Sequence, residues 1–280
     1  MILNNPFAEL SATVSPSIMQ GYVVLMVILV VAGTVLDMLH KQSAKYFFEN
    51  SKRAQKDAKR QLSSGEKTGL AVKTLTNEVL TSSEFDNQDR RKSHLLSMYG
   101  FIIFVVTSAI LIFKYPTSDG SALVTSLWHI GAAMLAVGGL WFWLFIRVDV
   151  LAEGAKWNSF NGRGDFFILG LIGMAVFGLL WSISQQINFL DGLFAVLFIL
   201  ATTFLFSTVY WSKFAHMFFK PAAAYQKKIT KADGTRENLP ADYDLSDPEV
   251  HAKFPDVPEY MGKNPPNMGL GISREAPKHY

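Results

Sequence analysis

The last apolar run of this chain reads LFAVLFILATTFLFSTVYW (Leu193–Trp211) and continues into SKFAHMFFKP (Ser212–Pro221). A hydrocarbon core of ~30 Å takes about 20 helical residues to cross. The run therefore predicts a membrane-spanning helix. Proline interrupts helical hydrogen bonding, so Pro221 predicts its end. On this reading, His216 lies one turn earlier, at the boundary between a membrane helix and a basic tail.

Four earlier runs have the same apolar character. None alternates with the period of two that is typical of a half-buried strand. A backbone surrounded by lipid must satisfy its own hydrogen bonds, which favours helices. We therefore expect an all-α protein, an integral membrane bundle of five transmembrane helices. The other four predicted spans are Gly21–Leu39, Leu95–Phe113, Val124–Ile146 and Phe166–Ser184.

Composition narrows the function classes. Half of the residues are apolar and 18% are charged, which is unlike an ordinary soluble protein. The chain has no cysteine, which excludes disulfides and any cysteine-ligated iron–sulfur or zinc site within it. A net charge of +3 is too small to indicate nucleic acid binding. The first 20 residues have no Lys or Arg, so we expect the first span to be retained rather than cleaved.

Basic residues are distributed very unevenly about the five predicted spans. Of the 26 Lys and Arg residues, only Lys114 falls on the outer side. The positive-inside rule then predicts an outside N-terminus and a cytoplasmic C-terminus. The resulting organisation is an outer segment (residues 1–20), a membrane domain (21–216) with a cytoplasmic loop (41–93), and a cytoplasmic tail (217–280).

The tail is rich in proline and charge, and such a segment builds no core of its own. It also carries aromatic and methionine side chains suited to a partner surface. We expect an extended cytoplasmic arm that, with loop 41–93, binds a soluble protein. The alternative is a disordered tail.

Histidines suggest a haem site. The predicted topology places His40, His94 and His216 at the cytoplasmic boundary. A b-type haem held by two imidazoles needs ligands at matching depth on facing helices. His94 and His216 satisfy this, as would either of them with His40, and the neighbouring cations favour the first pair. Arg91 and Lys213 supply cations where propionates would emerge. The alternative is that these histidines simply face the interface.

Further polar groups are candidates for quinone binding, because charge inside a membrane is costly and often functional. Asp37 and His40 lie one turn apart and are suited to relay protons to a quinone head group. The alternative for Asp37 is that it reaches the nearby interface or pairs with Lys41, four residues later. His129 is predicted near the outer side. There it either belongs to a quinone site or bonds a backbone carbonyl, Gln185 or Gln186.

The chain resembles the membrane cytochrome b subunits of the nitrate reductase gamma type, and most of all the membrane anchors of adenylylsulfate reductases and of quinone-interacting oxidoreductase complexes. The resemblance is carried by five helices, a basic first loop, RRKSHLLSMYGF (Arg90–Phe101) and SKFAHMFFKP (Ser212–Pro221). It implies a bacterial cytoplasmic membrane location and one b-type haem on His94 and His216. Two-haem members need a second, deeper histidine pair, and here Phe104 and Phe198 stand near those positions.

Two functions are consistent with these features. In the first, the chain is a membrane anchor that links the quinone pool to a cytoplasmic iron–sulfur or flavin oxidoreductase through its haem. The iron and the quinone would carry the chemistry, so the subunit is non-catalytic or quinone-reactive. In the alternative, it is a haem-free docking scaffold. A small transporter is less favoured, because no inverted repeat is evident.

Overall fold

The computed structural model describes residues 4–41, 49, 51–53, 55–56, 58–83, 85, 87–149, 154–160, 162–214, 216–235 and 247–255. Regular structure within these residues is entirely helical, which confirms the all-α prediction. The described helices are α1 (Pro6–Leu10), α2 (Pro16–Lys41), α3 (Ser64–Thr74), α4 (Gln88–Lys114), α5 (Ala122–Trp141), α6 (Gly162–Ile187), α7 (Asp191–Ser207), α8 (His216–Ala232) and α9 (Pro248–Lys253). A π-helical segment continues α3 (Leu75–Leu80), and another continues α5 (Phe142–Ile146).

Four helices in the described part of the chain are long and apolar enough to cross a membrane. They correspond to the first four predicted spans and indicate a multi-pass membrane protein. Their bounds as candidate spans are Pro16–His40, Gln88–Lys114, Ala122–Ile146 and Gly164–Ile187.

Close backbone contact joins α4 to α5. A Cβ atom added to Gly100 would lie 2.5 Å from the backbone nitrogen of Leu135, and one added to Gly138 would lie 2.6 Å from Ser97 Oγ. Ser93 also donates a hydrogen bond of 2.9 Å to the Gly138 carbonyl. Small residues permit this approach, which is a common basis of helix association in membranes.

The remaining helices extend the bundle sideways. α5 packs against α6, and α6 packs along α7, while α2 lies at the edge against α7 and α4. Only 11% of the apolar window of α2 is buried, so most of its surface faces outward. Its fully buried side chains are Met19, Met26 and Asp37.

The bundle has two distinct ends. At the first, which we call the N-terminal end, Asn5 Nδ2 donates to the carbonyls of Tyr115 (2.8 Å) and Ser118 (2.9 Å). Gln185 Nε2 donates to the Pro6 carbonyl there at 3.1 Å. The opposite end, which we call the basic end, carries α3 and α8. The structure thus groups the chain segments on two sides in the way that the topology predicts.

The fifth apolar run folds differently from the prediction. α7 has 17 residues, about 26 Å of helix, which is shorter than a hydrocarbon core of ~30 Å. The chain then turns, with Ser212 N donating to the Thr208 carbonyl at 2.8 Å. Val209 (0% exposed) and Phe214 (3%) are buried in this turn. The end of the run is therefore apolar because it packs into the bundle as a turn.

Two further predictions at this point are wrong. His216 begins α8 instead of ending the preceding helix, because that helix has already stopped at Ser207. Pro221 does not end a helix either, since it lies inside α8. The first part of the predicted tail, from Met217 to Ala232, is consequently helical rather than extended.

α3 and α8 pack together at the basic end and form what we call the α3–α8 platform. Lys228 of α8 pairs with Glu78 of the π-helical segment at 2.9 Å. The carboxyl end of α8 is held by the loop that precedes α3, since Arg60 Nε donates to the Ala232 carbonyl at 2.8 Å. The backbone nitrogens of Lys59 and Arg60 both donate to the Asp233 carbonyl. Loop and tail thus form one structural unit.

Candidate functional site

A cleft of about 240 Å³ opens at the basic end, where the π-helical segment, α4, α6 and α8 meet. We call it the His94 cleft. His94 lies six residues into α4 and is half-buried in the wall of this cleft. Among the described residues, the other polar members of the wall are Glu78, Ser97 and Lys220, and the remaining members are apolar. Within this described lining, a titratable imidazole therefore faces an apolar cleft with one cation and one carboxylate beside it.

Ser82 fixes the orientation of this imidazole. Its Oγ lies 3.1 Å from Nδ1 of His94, and the serine itself is buried (1% exposed). Ser82 adopts a left-handed backbone with φ of 47°, which costs roughly 1 kcal/mol in a residue other than glycine. The ring of Phe85 also lies against His94, with the two ring centroids 5.1 Å apart.

The backbone of His216 lies beside the same cleft. It is the first residue of α8, and the next residue, Met217, lines the His94 cleft. The side chain of His216 lies outside the described residues. The structure thus brings the two chain segments of the predicted haem site together, while the pairing of the two imidazoles remains a prediction.

The predicted propionate partners lie away from the cleft wall. Arg91 Nε donates to the Thr81 carbonyl at 2.8 Å, which ties α4 to the turn that carries Ser82. Lys213 is exposed. The cation that lines the cleft is Lys220, whose Nζ lies 5.5 Å from the Phe85 ring centroid.

Sequence reasoning missed Ser82, Glu78 and Lys220 as neighbours of His94. Ser82 is twelve residues from His94 and belongs to a turn that no motif marks. Lys220 was assigned to the end of a helix, and only the correct start of α8 brings it to the cleft. The available signal was the spacing from His216 to Lys220, which is one helical turn.

The predicted quinone residues Asp37 and His40 lie at the basic end of α2. Asp37 is buried (3% exposed), while His40 is exposed with its ring centroid 5.7 Å from that of Tyr210. Neither lines the His94 cleft.

His129 lies toward the N-terminal end of the bundle, on α5. Nδ1 is 2.8 Å from the Thr125 carbonyl and Nε2 is 2.7 Å from Ser182 Oγ. Of the predicted alternatives, the bond to a backbone carbonyl is therefore confirmed, while Gln185 bonds the Pro6 carbonyl.

The two phenylalanines that replace a second histidine pair are core residues. Phe104 is 1% exposed and Phe198 is 8% exposed, and their ring centroids are 6.2 Å apart. Phe7, Trp128 and Trp181 surround them in one aromatic cluster. This region of the bundle is filled by stacked and edge-to-face rings.

Comparison of the chain with known protein families, with characterised proteins and with solved structures finds no match.

Proposed function

We propose that this protein is a membrane anchor and electron-transfer subunit that holds one b-type haem at the His94 cleft. It would link the quinone pool to a soluble cytoplasmic iron–sulfur or flavin oxidoreductase docked at the basic end. The observation that carries the proposal is the contact between Ser82 and His94 in a cleft that α8 also lines. An adenylylsulfate reductase is the partner favoured by the sequence resemblance.

The donor chemistry of the cleft fits an axial haem ligand. A histidine that ligates a metal usually holds its other ring nitrogen in a hydrogen bond, which fixes the ring and its tautomer. Ser82 supplies such a partner at Nδ1, so iron would bind at Nε2. The strained backbone of Ser82 supports a functional role, since such strain concentrates at functional sites. His216 is the proposed second ligand.

The volume of the cleft is the weaker part of the fit. At about 240 Å³ it lies below the ~300–1,000 Å³ that is typical of ligand pockets. Phe101 and Met217 form both its wall and that of a larger neighbouring cavity. Methionine is flexible and adapts to irregular spaces, so movement of Met217 would enlarge the cleft.

The bound haem would supply one-electron transfer. The protein would orient it through the two imidazoles and place Lys220 near its carboxylates. The apolar wall would exclude water from the macrocycle. Docking would use the α3–α8 platform, with its concentration of basic residues.

Topology completes the proposal. We infer that α7, with the buried turn after it, crosses as a fifth span despite its length. The N-terminal end then lies outside, and the basic end lies in the cytoplasm of a bacterial cell, in agreement with the positive-inside rule.

The test is a reduced-minus-oxidised spectrum of the purified protein with a measured haem-to-protein ratio. A b-type spectrum near one haem per chain is expected. His94→Ala and His216→Ala should each abolish it, while His129→Ala should retain it. Ser82→Ala should weaken haem retention by about 10–100-fold. Ser83→Ala is the matched control, because Ser83 is exposed. Absence of a b-type spectrum from wild-type protein would contradict the proposal that it binds haem.

A second candidate, a haem-free docking scaffold, is favoured by the small volume of the cleft and by the α3–α8 platform. Truncation after Thr235 leaves α8 complete and removes the remaining tail. If the partner stays bound to this variant through the α3–α8 platform and no preparation contains haem, the scaffold is the better description. Haem in the truncated protein supports the first proposal.

A further inference from the structure

A long groove runs along α2 and is lined by residues of α1, α2, α4, α6 and α7. It encloses about 880 Å³, within the range of occupied ligand pockets. We call it the α2 groove. Its hydroxyl groups are already engaged: Tyr22 Oη is 2.9 Å from Thr203 Oγ1, and Thr202 donates to the Phe198 carbonyl at 2.7 Å. Ser108 accepts from Trp128 Nε1 at 2.9 Å. The groove thus presents an apolar lining whose polar atoms bond within the protein.

The groove opens sideways toward lipid. Its rim on α2 includes Ile18 (63% exposed), Val27 (58%) and Val31 (57%). α2 is a candidate membrane span, so exposed apolar residues on it face hydrocarbon. The lining of α2 extends from Ile18 to Val31, about 20 Å along the helix. This exceeds half of a core of ~30 Å, the depth reached by one leaflet.

We propose that the α2 groove holds an acyl chain of a membrane phospholipid, which joins α2 to the rest of the bundle. A chain from one leaflet matches the groove in length, in apolar chemistry and in its sideways opening. An empty groove of this size would deprive its lining of contact atoms. Water is disfavoured, because it needs two or more polar partners.

Other occupants fit less well. A protein helix about 10 Å in diameter and 20 Å long has a volume of about 1,600 Å³, nearly twice that of the groove. A quinone head group needs hydrogen-bond donors for its carbonyl oxygens, and the hydroxyls of the lining already donate within the protein. A b-type haem held by two imidazoles needs histidine ligands, and the described lining of the groove contains no histidine.

The proposal is tested by native mass spectrometry of protein purified in detergent with extended washing. Wild-type protein should retain a discrete adduct of one phospholipid mass. Two substitutions should fill the groove: Val105→Phe and Ala109→Phe, one helical turn apart on α4. Each should abolish the adduct. Val106→Phe is the matched control, because Val106 is 52% exposed on the same helix and lies outside the groove. It should retain the adduct.

Several outcomes would overturn the proposal. These are wild-type protein without a phospholipid adduct, a quinone adduct in its place, equal loss in Val106→Phe, or retention in both filling variants. The wild-type measurement needs no variant to fold. Photo-crosslinking of wild-type protein with a phospholipid that carries a diazirine on its acyl chain is a second readout. Labelled peptides should then include residues of the groove, such as Met26 and Val105; labelling confined to exposed faces would count against the proposal.

Discussion

Ser182 donates a hydrogen bond of 2.7 Å to Nε2 of His129, which joins α6 to α5 inside the bundle. The direction follows from the second ring nitrogen. In a neutral imidazole one ring nitrogen carries a proton and the other accepts. Nδ1 lies 2.8 Å from the Thr125 carbonyl, which only accepts, so in the neutral ring Nδ1 carries the proton and Nε2 accepts from the serine. Ser182 is 2% exposed, so water cannot replace it. The arrangement is a structural clamp between two helices.

Ser182→Ala should therefore lower the free energy of unfolding by roughly 0.6–2 kcal/mol, because the half-buried imidazole of His129 loses its partner on the neighbouring helix. Unfolding by SDS of protein in detergent micelles measures the change. Ser184→Ala is the matched control: Ser184 is equally buried, but its hydroxyl donates to the Trp181 carbonyl of its own helix. Ser184→Ala should lower the free energy of unfolding by less than Ser182→Ala does. Equal losses would contradict an interhelical role for Ser182.

Gly131 lies at the contact between α5 and α4. A Cβ atom there would be 2.7 Å from the backbone nitrogen of Phe104 and 3.1 Å from the Gly100 carbonyl. Gly131→Ala should force the helices apart and cost about 1–3 kcal/mol of unfolding free energy. Gly21→Ala, where the added Cβ meets nothing within 4 Å, should leave stability unchanged or slightly raised. The same SDS titration measures both. Unchanged stability in Gly131→Ala would show that the two helices can accommodate the added methyl group at this contact.

The first four spans were predictable because a run of about 20 apolar residues has few alternatives to a helix in lipid. The end of α7 was not. Val209 and Phe214 are as apolar as a lipid-facing helix requires, yet they are buried in a turn. Hydropathy measures preference for an apolar environment and does not distinguish lipid from protein interior.

The candidate site was predictable only in part. His94 and the segment that starts at His216 were identified by their common depth, and they do meet at one cleft. Ser82 was missed because its role depends on a left-handed turn between two helices. Arg147 and Asp165 were missed as a pair, since their sequence separation carries no helical or strand periodicity.

Arg147 and Asp165 form a buried ion pair at the basic end. Arg147 Nη2 lies 2.6 Å from Asp165 Oδ2, and the two side chains are 2% and 9% exposed. The guanidinium also donates to the carbonyls of Lys156 and Ser159 and lies 4.1 Å from the Trp143 ring. Asp165→Asn leaves a buried cation without its counter-charge, so unfolding free energy should fall by about 3–5 kcal/mol.

The same SDS titration measures this loss, and an exposed ion pair gives the comparison. Arg60 and Glu66 are 55% and 42% exposed at a distance of 2.8 Å. Glu66→Gln should cost little global stability, because solvent screens an exposed ion pair. A comparable loss in the two variants would mean that burial contributes little to the Arg147 pair.

Glu66 should instead make the start of α3 sensitive to acid. Its carboxylate accepts from Ser63 N at 2.8 Å and pairs with Arg60, while Glu66 N donates to Ser63 Oγ in a reciprocal capping box. The Ser63 backbone bond, with further help from Arg60, lowers the pKa of Glu66 from its ordinary value of 4.5. The stabilisation is therefore present above pH 4.5 and is lost as pH falls through the lowered pKa.

Amide-exchange protection of the first turn of α3, corrected for intrinsic rates, should fall over this acidic window. Glu66→Gln should flatten the pH dependence, whereas Glu78→Gln, a change at the other end of the same helical unit, should leave it in place. A pH profile of the first turn that is unaltered by Glu66→Gln would assign the acid sensitivity to another group.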